Sequence, residues 1–409
     1  MAVLYGNAVV GQSGGPTAAI NATLAGVIRG VLANRNTIPI LYGMRNGVEG
    51  LLSERLVDLT AIVNDEQTLE TLENTPAAAL GSCRYRLPKP KDDPSVFERL
   101  IATFQKYNIR YFFYIGGNDS MDAVAKLTEY LNDANYEMRV IGVPKTIDND
   151  LVGTDHTPGF GSAAKYIATT VSEVVRDCSV YAVKAVTIVE IMGRDAGWLT
   201  ASSALASMAN AAPDLIYLPE RPFSNEEFLA SIEKAFLKHP NVVVTVSEGI
   251  RFADGEYVGA SAQSGVADAF GHKYLAGTGK YLERLVKEKL GCKVRSIELN
   301  LPQRCAAHLA SATDIEESVL TGKTAVENAV LGTSGHMMIA VREDNPYRVS
   351  ISSAPVAQIA NAVKTVPDAY INTEGNGITE EGIAYLAPLI LGERKPVFVN
   401  GIPKHFIIE

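Results

Sequence analysis

Short apolar runs recur along the chain, and most are unbroken rather than alternating with polar residues. Residues 38–42, 111–115, 139–143, 185–191 and 242–246 are the clearest. An unbroken run suits a strand buried on both faces, as in a parallel sheet covered by helices. Helical patterns fall between the runs. Residues 94–107 place Phe97, Leu100, Ile101 and Phe104 on one helical face, and Pro94 suits a first turn, where its missing N–H costs nothing. Ser224 followed by Glu227 has the form of a capping box before residues 228–237, and Pro240 stops that helix ahead of the next strand. The rhythm predicts an α/β fold of doubly wound, mostly parallel sheets.

A chain of 409 residues, 47% hydrophobic and 20% charged, can bury a large core and has room for about two or three domains. Its net charge of −9 argues against a general nucleic-acid binder, whose surface would be basic. Cys83, Cys178, Cys292 and Cys305 form no Cys-x-x-Cys pair and read as reduced thiols. No apolar run reaches the ~18–20 residues of a membrane span, and no signal peptide opens the chain. A soluble, cytoplasmic protein without a membrane or nucleic-acid partner is expected. Residues 253–280, rich in Gly, Ala and Ser, read as a loop. Residues 337–341 and 348–351 are strand candidates in a tail that can return to an earlier domain.

Residues capable of chemistry collect where the apolar runs end. In open α/β sheets ligands sit at the carboxyl ends of strands. Gly11-Gln-Ser-Gly14-Gly15 follows an apolar start and leads into a helical stretch, an arrangement that aims backbone N–H groups at an anion. It is not a Walker A loop, because no Gly-Lys-Ser/Thr follows. Gly116-Gly117-Asn118-Asp119-Ser120 follows the second run. Its glycines let a phosphate approach, and Asn118 and Asp119 can orient Mg²⁺ or its waters; a plain capped turn is the competing reading. Lys145-Thr146-Ile147-Asp148-Asn149-Asp150 leaves the third run. There Asp148 can act as a general base, Lys145 can bind phosphate, Thr146 can donate to a phosphoryl oxygen, and Asp150 can hold a metal or fix its neighbour. Met192-Gly193-Arg194 leaves the fourth run, and the Arg194 guanidinium suits a phosphoryl group; Met192 by itself reads as core. Glu248 leaves the fifth and can accept from sugar hydroxyls. Arg84, Arg295 and Arg304, each taken singly, read as surface arginines. His308 and Trp198 read as surface or packing residues.

The order of these segments is more specific than any one of them. The glycine turn, Gly-Gly-x-x-Ser, Pro-Lys-Thr-Ile-Asp-Asn-Asp, Met-Gly-Arg, Glu and paired arginines together resemble the 6-phosphofructokinase family over about residues 8–330. The resemblance implies two Rossmann-like domains with mostly parallel sheets and the active site in the cleft between them. Residues 1–144 with part of 308–409 would form the donor domain, and residues 145–307 with part of the C-terminal region the fructose 6-phosphate domain. It implies Asp148 as the base toward the sugar 1-hydroxyl, and Thr146 and Arg194 on the moving phosphoryl group. It places Gly14, Gly15, Arg84, Gly117, Asp119, Ser120 and Lys145 on the donor. Asp150, Met192, Gly193, Glu248, Arg295 and Arg304 fall to the sugar phosphate, one arginine coming from a neighbouring subunit of a homodimer or homotetramer. Mg²⁺ is the implied cofactor, at Asn118 and Asp119.

Asp119 and Lys145 stand where ATP-using members carry glycine, and pyrophosphate-dependent members resemble this chain at both positions. A carboxylate at the nucleotide α-phosphate would clash with and repel ATP, whereas pyrophosphate ends short of it. The expected reaction is reversible transfer from Mg-pyrophosphate to fructose 6-phosphate. The alternatives are an ATP-dependent kinase of the same family and a non-catalytic regulatory subunit that binds sugar phosphate. Lipid and NAD kinases share a Gly-Gly-Asp-Gly turn but lack the Thr-Ile-Asp-Asn-Asp and Met-Gly-Arg pair. Three departures stand out: Asn118 for the usual Asp, Leu301 where many relatives place His, and Lys184 near a position expected to hold Arg.

Overall fold

The computed structural model describes residues 4–260, 277–360 and 362–408. Strands run in order β1 (Asn7–Gln12), β2 (Leu41–Met44), β3 (Leu56–Asp58), β4 (Ile109–Gly116), β5 (Arg139–Pro144), β6 (Ala185–Ile191), β7 (Leu215–Tyr217), β8 (Asn241–Ser247), β9 (Lys293–Glu298), β10 (His336–Glu343) and β11 (Arg348–Pro355). The helices that matter here are α1 (Ile20–Ala33), α2 (Pro94–Lys106), α3 (Asn118–Asp133), α4 (Phe160–Ser179), α5 (Asn225–Phe236), α6 (Thr278–Leu290) and α7 (Ala312–Val330).

The strands form two main sheets. The first has the order β11–β10–β5–β4–β1–β2–β3, and the second β7–β8–β6–β9. The second is parallel throughout, and the first is parallel except for β3 and β11 at its edges. These are two Rossmann-like α/β layers. The unbroken apolar runs become buried strands because each face has its own cover. In β4, Tyr111, Phe113 and Ile115 join a core with α1 and α7 residues. Phe112 and Tyr114 join a separate core with Phe97 and Phe104 of α2 and Val124 of α3. In β6, Val186 and Ile188 face one core and Val189 and Ile191 the other.

The helix signals act as their chemistry requires. Asp93 caps α2 by accepting from the Ser95 N–H, with Pro94 in the first turn. Ser224 caps α5 by accepting from the Glu227 N–H at 3.3 Å. Glycines set the contact between α1 and α7. A Cβ at Gly26 would stand 2.1 Å from the Val319 carbonyl oxygen, and one at Gly322 would stand 2.1 Å from that of Thr23. The two backbones therefore touch, and α7 lies flush on the first sheet. Asp314 in the first turn of α7 accepts from the Gly159 and Ser162 N–H groups at 2.8 and 2.9 Å, which binds α7 to the start of α4.

Three expectations shift. The strand expected at 38–42 begins at Leu41, because the Ile38 N–H donates to Asn34 at the end of α1 and Pro39 has no N–H to pair. The loop expected through residue 280 gives way to α6 at Thr278, and its residues 261–276 lie outside the described ones. The tail candidates extend further than read, to His336–Glu343 and Arg348–Pro355. They do return to an earlier sheet: β10 lies parallel to β5, and β11 folds back antiparallel outside it. Further on, Val366, Ile371, Leu386 and Leu389 pack with Phe160 and Trp198 in the core of the second sheet. The four cysteines are free thiols, Cys83 buried and Cys305 exposed. Among the described residues no helix is long and apolar enough to cross a membrane.

Candidate active site

The exits of β1, β4 and β5 lie side by side, since these strands are neighbours and parallel. The turn after β1 is held from two directions. The Gly14 N–H donates to the Cys83 carbonyl at 3.1 Å, and Ser82 Oγ donates to the Gly14 carbonyl at 2.6 Å. Arg84, the next residue, is thereby carried beside this turn. Gly117 caps α3, so Asn118, Asp119 and Ser120 form its first turn, where the helix dipole favours anionic groups. Asn118 Nδ2 donates to the Ala362 carbonyl at 2.8 Å.

Lys145 crosses from β5 to the first turn. It is 3% exposed, and its Nζ donates to the Gly15 carbonyl at 2.6 Å. Arg304 reaches the same place: a Cβ at Gly15 would stand 3.4 Å from its Nη1. Burial pushes Lys145 down to about 8, Asp148 and Asp150 pull it up, and the charges of Arg304 and Arg84 push it further down. Three cations, Lys145, Arg84 and Arg304, thus converge on the glycine turn, a local positive potential of the kind that attracts an anion.

Asp148 follows two residues beyond Thr146, whose Oγ1 accepts from the Asp148 N–H at 3.1 Å. Asn149 between the two aspartates has φ of +53°, a left-handed turn that Asn tolerates. Burial raises Asp148 above the usual carboxylate range, while Lys145 and Arg194 oppose that rise. Burial and the neighbouring Asp148 push Asp150 up to about 7.

The second sheet supplies the facing wall. The Glu248 N–H donates to the Ile191 carbonyl, and its Oε1 accepts from the Gly193 N–H at 3.4 Å. Gly193 has φ of +139°, and a Cβ there would stand 2.7 Å from the Ala196 carbonyl oxygen; only glycine makes this exit. Burial pushes Glu248 up to about 7, with Asp148 adding to the rise and Arg194 opposing it. Arg194 therefore acts on both Asp148 and Glu248, one from each sheet. The Met192 N–H donates to Gln303 Oε1 at 3.2 Å. Met192 itself packs against the core of the second sheet.

The chain thus brings Gly14, Gly15, Arg84, Lys145, Asp148, Asp150, Arg194, Glu248 and Arg304 into one charged cluster bridging the two sheets. It does not bring Arg295 there. That side chain lies on β9 among Lys293, Tyr181, Asp177 and Asn241, at the entry end of the strands. Lys184 sits over the Phe236 ring at 5.2 Å, and Leu301 is exposed. His308 is exposed, and Trp198 is buried in the core. Three side chains around the cluster escaped the sequence reading: Gln303, Asn149 and Lys364. Gln303 and Asn149 adjoin residues that were singled out. Lys364 carries no local signal, being one lysine in an irregular stretch of the tail.

Residues 7–329 match the phosphofructokinase family model, and the chain belongs to that family. It is 41% identical over 402 residues to the pyrophosphate–fructose 6-phosphate 1-phosphotransferase of Halomonas elongata, covering 97% of this chain and 95% of the relative. It is 42% identical over 409 residues to the Xanthomonas campestris protein of the same name, covering 99% and 96%. The crystal structure of the pyrophosphate-dependent phosphofructokinase of Nitrosospira multiformis superposes with a TM-score of 0.89 at 37% identity, covering 98% of this chain and 96% of that one.

Proposed function

We propose that the chain is an enzyme that transfers a phosphoryl group from pyrophosphate to the 1-hydroxyl of fructose 6-phosphate, reversibly, giving fructose 1,6-bisphosphate and phosphate. One observation carries the reading: Lys145 joins the glycine turn at Gly15 while its charge, with that of Arg194, acts on the half-buried Asp148. Donor site and base are then contiguous. The names of the full-length relatives support the same donor and acceptor.

Phosphoryl transfer needs positioning and charge neutralisation more than covalent chemistry from the protein. In this reading Asp148 takes the proton of the 1-hydroxyl as its oxygen bonds to phosphorus. The bridging P–O bond breaks, and phosphate leaves with the bonding pair. Thr146 and Arg194 contact the moving group. Gly14, Gly15, Arg84, Gly117, Asp119, Ser120 and Lys145 hold the donor. Met192, Gly193, Glu248 and Asp150 contact the sugar; Arg304, expected from the sequence on the 6-phosphate, lies at the glycine turn beside Gly15 and Lys145 and falls to the donor phosphates. Arg295 lies away from its own chain's cluster, so it serves a neighbouring subunit's site in a homodimer or homotetramer. A cytoplasmic setting belongs to the same reading.

Mg²⁺ is the cofactor in this reading, and the residues present fit it. Among the described residues no three His, Cys, Asp or Glu side chains cluster as a metal cage. Mg²⁺ held chiefly by phosphate oxygens and water needs only about one or two carboxylates. Asp119 and the side-chain oxygen of Asn118 would hold it, and the ion would neutralise charge on the phosphates.

The test is turnover of fructose 6-phosphate with Mg²⁺ and either pyrophosphate or ATP. Pyrophosphate alone should support it; activity with ATP alone overturns the donor assignment. The double change Asp119→Gly with Lys145→Gly should lower kcat/KM for pyrophosphate by about tenfold or more, and an unchanged donor preference would remove the physical basis given for it.

A further inference from the structure

The tail stretch 362–366 touches three of the five strand exits that build the site, those of β4, β5 and β6. The Ala362 carbonyl accepts from Asn118 Nδ2 at 2.8 Å. The Lys364 N–H donates to the Asp150 carbonyl at 2.7 Å, and the Lys364 carbonyl accepts from Trp198 Nε1 at 2.9 Å. Trp198 closes the loop that begins at Arg194. The Val366 N–H shares Glu220 Oε1 with the Gly197 N–H, at 2.9 and 2.8 Å. This stretch lies outside residues 7–329, where the family model ends.

Within it, one side chain points into the loop of the two aspartates. Lys364 Nζ donates to Asn149 Oδ1 at 3.2 Å, the Thr154 carbonyl at 3.2 Å and the Asp155 carbonyl at 2.6 Å. It also lies 5.3 Å from the centre of the Trp198 ring. Three donors and three acceptors match the full capacity of an ammonium group. The loop from Asn149 to Asp155 closes around that ammonium, and Asn149 sits in its left-handed turn between Asp148 and Asp150 as part of the closure.

We propose that Lys364 is a positioning residue for the phosphoryl transfer: its ammonium fixes the turn at Asn149 and thereby the directions of Asp148 and Asp150. The inference rests on the reading of Asp148 as the base. Lys364 touches no reacting atom. Its effect should fall on the chemical step, because small displacements of a reacting group cost rate steeply, about a hundredfold for ~1 Å. The backbone contacts of residues 362–366 do not depend on the side chain, so a substitution isolates the ammonium.

The experiment compares wild type, Lys364→Met and Lys364→Arg as full chains. Wild-type turnover of fructose 6-phosphate with pyrophosphate is the control that tests the underlying reading separately. Lys364→Met should lower kcat about tenfold to a hundredfold while KM for both substrates stays within about threefold, and Lys364→Arg should recover part of the loss. Hydrogen exchange of the peptide spanning 146–157 supplies a second readout that needs no activity. It should speed up in Lys364→Met and return toward wild type in Lys364→Arg, with other regions unchanged. A folded Lys364→Met enzyme with unchanged kcat overturns the proposal. So does a loss confined to KM, unchanged exchange at 146–157, or an Arg variant as impaired as the Met variant.

Discussion

Asp148 and Asp150 show how one turn divides two carboxylates between tasks. Both rise above the ordinary carboxylate range through burial, and Asp148 adds to the rise at Asp150, which reaches about 7. The acid limb of kcat/KM should therefore lie well above the pH where an exposed aspartate titrates. Asp195→Asn removes a negative charge that raises Asp148, so Asp148 ionises more readily and the limb should move to lower pH. A pH–rate profile of the variant checks this; a limb that stays or moves upward contradicts that influence. Asp148→Asn should lower kcat by about a hundredfold or more, the typical share of a general base. These residues were legible because their types and their places after apolar runs are visible in one dimension. Lys364 was not legible: its partners are the Asn149 side-chain oxygen and two backbone carbonyls some two hundred residues away, and carbonyls carry no sequence signature.

At the scale of elements, the contact of α1 with α7 depends on absent side chains. Gly322→Ala should help an isolated helix by about 1 kcal/mol yet lower stability by at least about 1–3 kcal/mol, because the added carbon meets the Thr23 carbonyl. Thermal and denaturant melts measure the sign. The loop between β5 and α4 has a different brace. His156 lies between Asp155 at 2.8 Å and Glu317 of α7 at 2.6 Å, with Arg342 of β10 near Asp155 and Tyr347 on Glu317. Burial opposes its charge, but the hydrogen bonds it donates to Asp155 and Glu317 win and raise it from 6.5 to about 9. The folded state therefore holds this proton more tightly than the unfolded chain. The stabilisation, of order 3 kcal/mol, is full below about pH 6.5 and is lost as pH rises through about 9. His156→Gln should flatten stability against pH across that window, as urea melts at pH 6 and pH 9.5 would show. Strand and helix positions in this region were readable from period and caps. The brace was not, because His156, Glu317 and Arg342 meet only after the tail has returned to the first sheet.

Across the whole molecule, the α/β class followed from unbroken apolar runs, since burial on both faces leaves no room for alternation. What the runs could not state was the membership of each sheet. The position of Arg295 also belongs to this scale. If it completes a neighbour's site, subunits carrying Asp148→Asn and subunits carrying Arg295→Ala, each weak alone, should regain activity when co-assembled, because some mixed sites contain neither lesion. No recovery on verified mixing would return Arg295 to a role within its own chain.

The first sheet takes β5 from one stretch of the chain and β10 from another beginning about 190 residues later. A growing chain made at roughly 5–20 residues per second therefore carries β5 as an open edge for on the order of 10–40 s before its partner exists. An apolar, unpaired edge is a template for pairing with another chain. The covered edge of β5 in the finished sheet and its hazard during synthesis thus come from the same return of the tail. Slower translation upstream of residue 336 should cost yield through aggregation rather than through any defect in the mature fold.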